Sequence, residues 1–418
     1  EMFCPESAYG GKYGGDQATW LMKRFVPDVS WRSNPGYANS DDIRNINQSY
    51  TFTENHDKPR ILSSMALDLG LFNSKFDNDE DRKKAAKVLN GDFKTETFDK
   101  FDFTKLSAKS IAMGYRLNEA LDSLAKDHQL DASLVSDLRK TIGELAKSEV
   151  PQSNEAFGVK PFNEAIKDVL EKTESTKGKQ EEEKLEIINK ILKPIIEPAA
   201  SKYLRLYKML LTLPGCPTDF LGTSMGLTGW EALCKNPYQQ CRGAIPDKEK
   251  LPEWLKKCLL KPVQELQEMK QQTNLNPLVD GDTHVLPFTT GRYGYNIAET
   301  NDGKKVKLAP ILRYNQEGDV IINVYSFDGI NVDDHLHSVE NHDLELDELV
   351  IYDPARARDP RFSPFQFNTD AKFKLQGDDE NVYVVEYKND GKCVIKKQGG
   401  GKITLSQKDM NTSIFYMV

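Results

Sequence analysis

The sequence predicts an α/β protein with a separate antiparallel β domain, and three observations lead to this fold class. A run of β-branched and aromatic residues from Tyr50 to Thr53 ends in polar residues, and a helical pattern follows from about Ile61. Strand, loop and helix in this order form the repeating unit of a parallel sheet. A similar unit surrounds Thr218 to Leu221. Beyond His284 the apolar residues recur with period two, which indicates antiparallel strands.

The two strand units lie on either side of a long, charged, helix-forming stretch. We therefore predict that residues 1–76 and 201–284 belong to one sheet, that residues 77–200 are an inserted helical subdomain, and that residues 285–418 form the antiparallel β domain. An insertion of about 120 residues is much longer than an ordinary connection between a strand and a helix. A segment of that length is expected to fold on its own.

The insertion is predicted to be a small bundle of amphipathic helices, because its apolar residues recur at helical spacing. These residues are Leu134, Val135, Leu138, Ile142 and Leu145, then Phe162, Ile166, Val169 and Leu170, and finally Ile187, Ile188, Ile191, Ile195 and Ile196. One or two further helices are predicted from about Leu251 to Asn274, with a kink or break at Pro262.

Composition excludes some classes of partner. The net charge is -8, and the charged fraction of 29% is spread along the chain, so we expect neither nucleic acid as a partner nor a membrane span. A neutral ligand rich in hydroxyl groups, such as a sugar, is compatible with an acidic surface. Among the six cysteines, Cys234 and Cys241 fit either a loop-closing disulfide or two unpaired thiols.

The tetrapeptide Glu-Asn-His-Asp occurs twice, and its surroundings differ. In the first copy, Asn55, His56 and Asp57 directly follow the predicted strand, at the end where α/β enzymes place their chemistry. The alternative is structural: His56 caps a loop and Asp57 starts a helix. The second copy contains His342 and follows His335 and His337, so a metal site is one interpretation and a polar loop is the other.

Two motifs resemble the α-amylase family of glycoside hydrolases and transglycosylases. The stretch TFTENHDKPR is similar to the family's fourth conserved region, in which the seventh barrel strand ends in an Asn-His-Asp or similar triplet. The stretch LLTLPGCPTDFLGTSMGLTG is similar to the region across the last barrel strand. A helix and then a small β domain follow, in the order that the family shows. The helical insertion lies outside the resemblance.

The resemblance implies the C-terminal part of a (β/α)8 TIM barrel followed by an antiparallel β-sandwich domain. Residues 1–76 would hold the region of barrel strands 5 to 7, and residues 201–284 would hold strand 8 and the last helix. Such a barrel closes by pairing its first and last strands. We therefore expect the N-terminal half of the barrel to be supplied by the same chain or by another one.

The resemblance also assigns roles to individual residues. Asp57 corresponds to the carboxylate that bonds sugar hydroxyls and stabilises the oxocarbenium-like transition state, and Glu1 corresponds to the general acid. His56, Asn55 and Arg60 correspond to substrate-binding positions. The family's nucleophile, an aspartate in an Arg-x-Asp setting, is expected upstream of Glu1. A retaining mechanism through a covalent glycosyl intermediate follows from this pair of carboxyl groups.

The sequence therefore favours an enzyme that acts on α-linked oligosaccharides or polysaccharides, by hydrolysis or by transfer to another sugar. A second hypothesis is a glucan-binding or scaffold protein that kept the barrel but lost catalysis. A third gives the helical insertion a partner-binding role unrelated to sugar. No cofactor is predicted, and a structural calcium ion is implied by the family resemblance alone.

Overall fold

A computed structural model of the chain describes two kinds of architecture: helices with a parallel strand pair, and an antiparallel β unit. The described residues are 50–52, 62, 120–127, 129–147, 170–172, 176, 179–213, 215–227, 247–280, 282–284, 296–299, 305–326, 343–352, 367, 370–405 and 412–418.

The parallel pair joins strands that are far apart in sequence. Strand β1 (Tyr50–Phe52) runs parallel to β2 (Cys216–Thr218), with Tyr50 opposite Cys216 and Phe52 opposite Thr218. Parallel neighbours need a long crossover connection, and here about 160 residues connect them. The predicted parallel arrangement of these two strand units is confirmed for β1 and β2.

Strand β2 starts and ends earlier than the predicted run of Thr218 to Leu221. The chain turns directly after the strand, because the amide of Thr223 donates to the carbonyl of Phe220 at 3.1 Å and a 3-10 turn follows over Thr223–Met225. These turn hydrogen bonds use the backbone groups that a longer strand would need for its ladder.

Two long helices carry the first hydrophobic core. Helix α1 (Ala132–Lys147) and helix α2 (Glu181–Thr212) lie where the apolar spacing predicts helices. Their buried predicted positions include Leu134, Val135, Leu138, Ile187, Ile188, Ile191 and Ile196. Leu62, in the helix predicted from about Ile61, is also fully buried in this core. The predicted helical spacing is confirmed for the segments of α1 and α2. Phe162, Ile166 and Val169, of the remaining predicted helix of the insertion, lie outside the described residues.

Helix α2 continues through residues 200 and 201, where the sequence places the end of the insertion. The helix contains Pro194 and Pro198, yet it runs from Glu181 to Thr212 without interruption. Its second half contributes Tyr203, Leu206 and Leu210 to the same core as its first half. Burial along its whole length explains why the helix persists despite the lost amide donors of two prolines.

The predicted break at Pro262 is a local change of helix geometry. Helix α3 (Glu253–Leu255) is followed by a π-helical segment (Lys256–Leu260) and then by helix α4 (Lys261–Met269). Pro262 has no amide hydrogen and cannot complete the regular α-helical ladder. The regular α-helical pattern is therefore interrupted just before Pro262. The chain nevertheless stays helical on both sides of this residue. A short helix α5 (Pro277–Asp280) follows.

The antiparallel unit contains one large sheet and one small sheet. The strands of the large sheet are β3 (Asp282–His284), β4 (Asn296–Glu299), β5 (Lys305–Tyr314), β6 (Val320–Ser326), β8 (Leu349–Tyr352), β9 (Lys372–Leu375), β10 (Asp378–Tyr387), β11 (Cys393–Lys397) and β13 (Thr412–Met417). Their order is β3-β5-β6-β13-β9-β10-β11-β8, with β4 also paired to β5. The small sheet pairs β7 (Leu344–Leu346) with β12 (Ile403–Leu405).

The prediction of antiparallel strands after His284 is confirmed for the described strands. The boundary differs by one short element, because β3 pairs with β5 although the sequence assigned residues up to 284 to the barrel. A three-residue strand is too short to reveal its period in sequence. In the part of the chain that the structure describes, the large sheet has nine strands and the small sheet two. The TIM barrel and the β-sandwich remain predictions.

The central strands of the large sheet are buried on both faces. Ile322 and Phe415 face one core together with the small sheet, whereas Ile321 and Ile414 face a second core formed with helices α4 and α5. Burial on both sides explains why β6 and β13 are almost continuously apolar in sequence.

A buried polar contact joins the β unit to the end of helix α2. The hydroxyl of Tyr325 donates to Oγ1 of Thr212 at 3.1 Å, and Nδ2 of Asn323 donates to the carbonyl of Thr212 at 3.4 Å. All three side chains are fully buried, and burial raises the pKa of Tyr325 well above its ordinary value. Because β2 begins four residues after Thr212, this contact ties the β unit to the parallel pair.

We expect Tyr325→Phe to lower the free energy of unfolding by about 0.5–1.5 kcal/mol, the usual net value of one hydrogen bond. Urea titration of this variant, of Thr212→Val and of the double variant would give the coupling between the two side chains. Strictly additive losses would show that the hydrogen bond does not contribute to stability.

Candidate functional site

The residues that the sequence proposes as a site are Glu1, Asn55, His56, Asp57 and Arg60, and all five lie outside the described residues. The structure describes the strand that leads to four of them, since β1 ends at Phe52, three positions before Asn55. It also describes the neighbouring strand β2 and the loop after it. The geometry of the candidate site is therefore built from these elements.

The register of the parallel pair defines one edge of the sheet. Phe52 and Thr218 are the last paired residues of β1 and β2, and both strands run in the same direction. Asp219 follows Thr218 directly, and the first Glu-Asn-His-Asp copy begins two positions after Phe52. Carboxyl ends of adjacent parallel strands meet at the same edge. Asp219 is therefore the first described residue beyond the carboxyl end of β2.

Asp219 is held by a fully buried tyrosine. The hydroxyl of Tyr203, on helix α2, donates to Oδ1 of Asp219 at 2.8 Å, and the Asp219 side chain is half-buried. Tyr203 stacks on Tyr207 with ring centroids 5.6 Å apart, and the Tyr207 hydroxyl accepts from Nε2 of Gln267 at 2.9 Å. Burial raises the pKa of Tyr207, and the charge of Asp219 raises it further.

Sequence reasoning did not single out Asp219. The signal that could have identified it is a carboxylate immediately after an apolar turn and a short strand, in the motif quoted for the last barrel strand. The partner of Asp219, Tyr203, lies 16 positions earlier on a helix. In sequence Tyr203 resembles any other aromatic residue on the apolar face of an amphipathic helix, and nothing indicates that its hydroxyl has a specific partner.

The loop that continues from Asp219 is tightly built. Gly222 has φ of 99°, and a Cβ there would lie 2.2 Å from Cδ1 of the buried Leu227. Gly226 has φ of 83°, and a Cβ there would lie 2.7 Å from Cδ2 of Leu255. Both positions need glycine for backbone conformation and for space. The loop therefore holds one defined shape against helix α3.

A half-buried lysine, Lys270, directly follows helix α4. Burial, and to a smaller extent the charge of Arg313, lower the pKa of Lys270 to about 8, and Cys216 at the start of β2 acts in the opposite direction. Arg313 is itself buried and donates to the carbonyl of Leu278 at 3.0 Å. Loss of hydration makes the charged form of Lys270 unfavourable, so we expect this lysine to lower the stability of the fold at neutral pH.

Lys270→Met is expected to stabilise the protein by roughly 1 kcal/mol at pH 7, a value reduced because the lysine is partly exposed. A lysine in the unfolded chain has a pKa near 10.4, so the unfolded state binds the extra proton between about pH 8 and pH 10. Stability of the wild type therefore rises with pH in that window. Melting temperatures of both proteins should converge as the pH rises from 7 to 10.

The matched control is Lys250→Met, at a side chain that is 84% exposed. If the difference in melting temperature between Lys270→Met and the wild type stays constant from pH 7 to pH 10, the charge of Lys270 does not lower the stability of the fold.

Among the described residues, no group of three or more histidine, cysteine or carboxylate side chains could hold a metal ion. His335, His337 and His342 lie outside them, as do Cys234 and Cys241. Burial raises the pKa of the Cys258 thiol to about 11 and that of Cys393 to about 12, so neither favours a thiolate. The helices of the described ranges include none that is long and apolar enough to cross a membrane.

Comparison with known proteins gives no assignment. No protein-family model matches the chain, and neither the curated proteins nor the solved structures contain a match.

Proposed function

We propose that the protein is an enzyme of the α-amylase type, acting on α-glucosidic bonds of oligosaccharides or polysaccharides by hydrolysis or by transfer to another sugar. One observation carries the proposal. Strand β1, which leads into Asn55, His56 and Asp57, has a parallel neighbour in β2, and β2 belongs to the second motif of the family resemblance. The strands of the two motifs are thus adjacent in space.

The adjacency supports the proposal because the two motifs are about 160 residues apart in the chain. Local sequence similarity gives no reason for such distant segments to pair. The family resemblance does give one, since it assigns TFTENHDKPR to the seventh barrel strand and LLTLPGCPTDFLGTSMGLTG to the eighth. Consecutive strands of a barrel are parallel neighbours.

In the proposed mechanism, the glycosidic C–O bond breaks while a bond forms between the anomeric carbon and a carboxylate oxygen of the nucleophile. Glu1 gives its proton to the leaving oxygen, and Asp57 stabilises the positive charge that develops on the sugar ring. His56, Asn55 and Arg60 hold the sugar through its hydroxyl groups. Water or a sugar hydroxyl then releases the glycosyl group, with Glu1 accepting the proton. The family resemblance assigns the role of nucleophile to an aspartate in an Arg-x-Asp setting.

The test is release of reducing ends from maltooligosaccharides by the purified protein. Chromatography of the products separates hydrolysis, which shortens the substrate, from transfer, which also lengthens it. Turnover supports the proposal. Binding of maltooligosaccharides without turnover would contradict it and would favour the glucan-binding protein instead.

A further inference from the structure

The loop directly after β2, Asp219–Leu227, has a carboxylate and an exposed leucine at the edge where the sugar site is proposed. We propose that this β2 loop is a second wall of the sugar site, in which Asp219 accepts a hydrogen bond from a sugar hydroxyl and Leu221 contacts the apolar face of a sugar ring. The inference rests on the proposed function and adds two specificity-determining residues to it.

The first argument is position. Asp219 is the first residue beyond the last paired position of β2, so it lies at the edge where β1 ends and the first Glu-Asn-His-Asp copy begins in sequence. Side chains that bind substrate in parallel α/β proteins come from this edge. In sequence, each of the two strands is followed within two positions by an acidic residue.

The second argument is the state of the carboxylate. Asp219 is half-buried, so solvent and ligands can reach it, and the bond from Tyr203 at 2.8 Å fixes the orientation of the group. An ionised carboxylate has about four acceptor positions and donates nothing. Such a group suits hydroxyl donors of a neutral sugar, and its negative charge would repel a phosphate.

The third argument is rigidity. Gly222 and Gly226 fix the loop against Leu227 and Leu255, and Oγ1 of the fully buried Thr223 donates to the carbonyl of Phe220 at 2.9 Å. A site whose supporting residues are locked keeps its shape before the ligand arrives, which lowers the entropy lost on binding. The β2 loop meets this requirement through residues other than Asp219 and Leu221.

The fourth argument is Leu221, which is 59% exposed within this rigid loop. Single exposed leucines are common and carry no meaning by themselves. Here the leucine stands two residues from Asp219, and the turn at Gly222 holds it in place. A sugar ring offers hydroxyl groups at its rim and C–H groups on its faces, so a carboxylate beside a fixed apolar side chain matches both parts of the ligand.

The experiment measures KM, kcat and the direct binding of maltoheptaose for Asp219→Asn and Leu221→Ser. Asparagine keeps an oxygen that can accept from Tyr203, so the fold is retained while the charge is removed. We expect KM and the dissociation constant to rise by about 10-fold for Asp219→Asn, since hydrogen bonds to charged groups are the stronger ones. A smaller rise of about threefold is expected for Leu221→Ser, and kcat should change little in either variant.

Two controls separate a ligand contact from a structural effect. Tyr203→Phe removes the same hydrogen bond from the other side, and it should lower the melting temperature while changing KM less than Asp219→Asn does. Leu185→Ser changes a leucine that is 45% exposed on helix α2, and it should leave KM unchanged. If Tyr203→Phe raises KM as much as Asp219→Asn, Asp219 acts only through the fold and the inference is overturned.

The outcomes also distinguish this inference from the proposed function. If the wild type turns over maltoheptaose and both β2 loop variants behave like it, the inference alone fails. If the wild type binds the sugar without turning it over, the proposed function fails, and the dissociation constants of the variants still test the inference. If the wild type neither binds nor turns over the sugar, the proposed function fails, and the inference falls with it.

Discussion

Asp57→Asn is expected to lower kcat/KM for maltooligosaccharides by about 100-fold or more, because a neutral amide cannot stabilise the positive charge of the oxocarbenium-like transition state. The substitution changes one atom and leaves the size of the side chain almost the same. A selective loss of kcat with a smaller change in the melting temperature would identify a residue that acts in the transition state. Reducing-end release and thermal unfolding measure the two quantities.

The second Glu-Asn-His-Asp copy provides a matched control for this prediction. Asp343→Asn makes the same change in the same tetrapeptide, at an exposed residue just before strand β7 of the antiparallel unit. It should leave kcat/KM unchanged. Equal losses in the two variants would remove the assignment of the first copy as the site, and unchanged turnover in Asp57→Asn would remove Asp57 from its proposed role.

Phe415→Ala is expected to lower the free energy of unfolding by about 3–5 kcal/mol, the range for truncating a large buried aromatic side chain. Phe415 is fully buried on strand β13, opposite Ile322 of β6 and Leu375 of β9, and it makes an edge-to-face contact with Tyr383 at 5.3 Å between ring centroids. Its removal leaves a cavity in the core between the large sheet and the small sheet. Chemical denaturation monitored by circular dichroism measures the loss.

Val418→Ala is the control for this prediction, because Val418 lies three positions away and its side chain is 62% exposed. We expect its effect to stay within about 0.5 kcal/mol. A loss of less than about 1 kcal/mol for Phe415→Ala would mean that the core around β13 is looser than its burial indicates.

Secondary structure was predictable where a pattern is long and local. The helical spacing of Ile187, Ile188 and Ile191 predicts a helix that buries them, and the structure confirms it. The Asn-Asp-Gly turn between β10 and β11 was also predictable, since Gly391 adopts a φ of 83° and its amide donates to the carbonyl of Lys388 at 2.9 Å. Backbone conformation and amphipathicity decide both features within a few residues.

Contacts between distant segments were much less predictable. The hydrogen bond between Tyr325 and Thr212 joins residues 113 positions apart, and either residue alone reads as an ordinary member of its strand or helix. The position of Asp219 was equally hard to predict, because it depends on the contact with Tyr203 and on the register of β2 with β1. The spacing of apolar residues along a helix or strand indicates which of its faces is buried. It does not indicate which other element packs against that face.

The central place of β13 has a consequence for how the protein is made. Among the described strands, β13 lies between β3, β5 and β6 on one side and β9, β10, β11 and β8 on the other, and it is the last of them in the chain. A nascent chain therefore carries two incomplete half-sheets, each with an unpaired rim, until residues 412–417 are synthesised. A ribosome-bound chain stalled before residue 412 should be more readily digested by protease and more strongly bound by chaperones than one in which an added linker carries residues 412–417 clear of the ribosome.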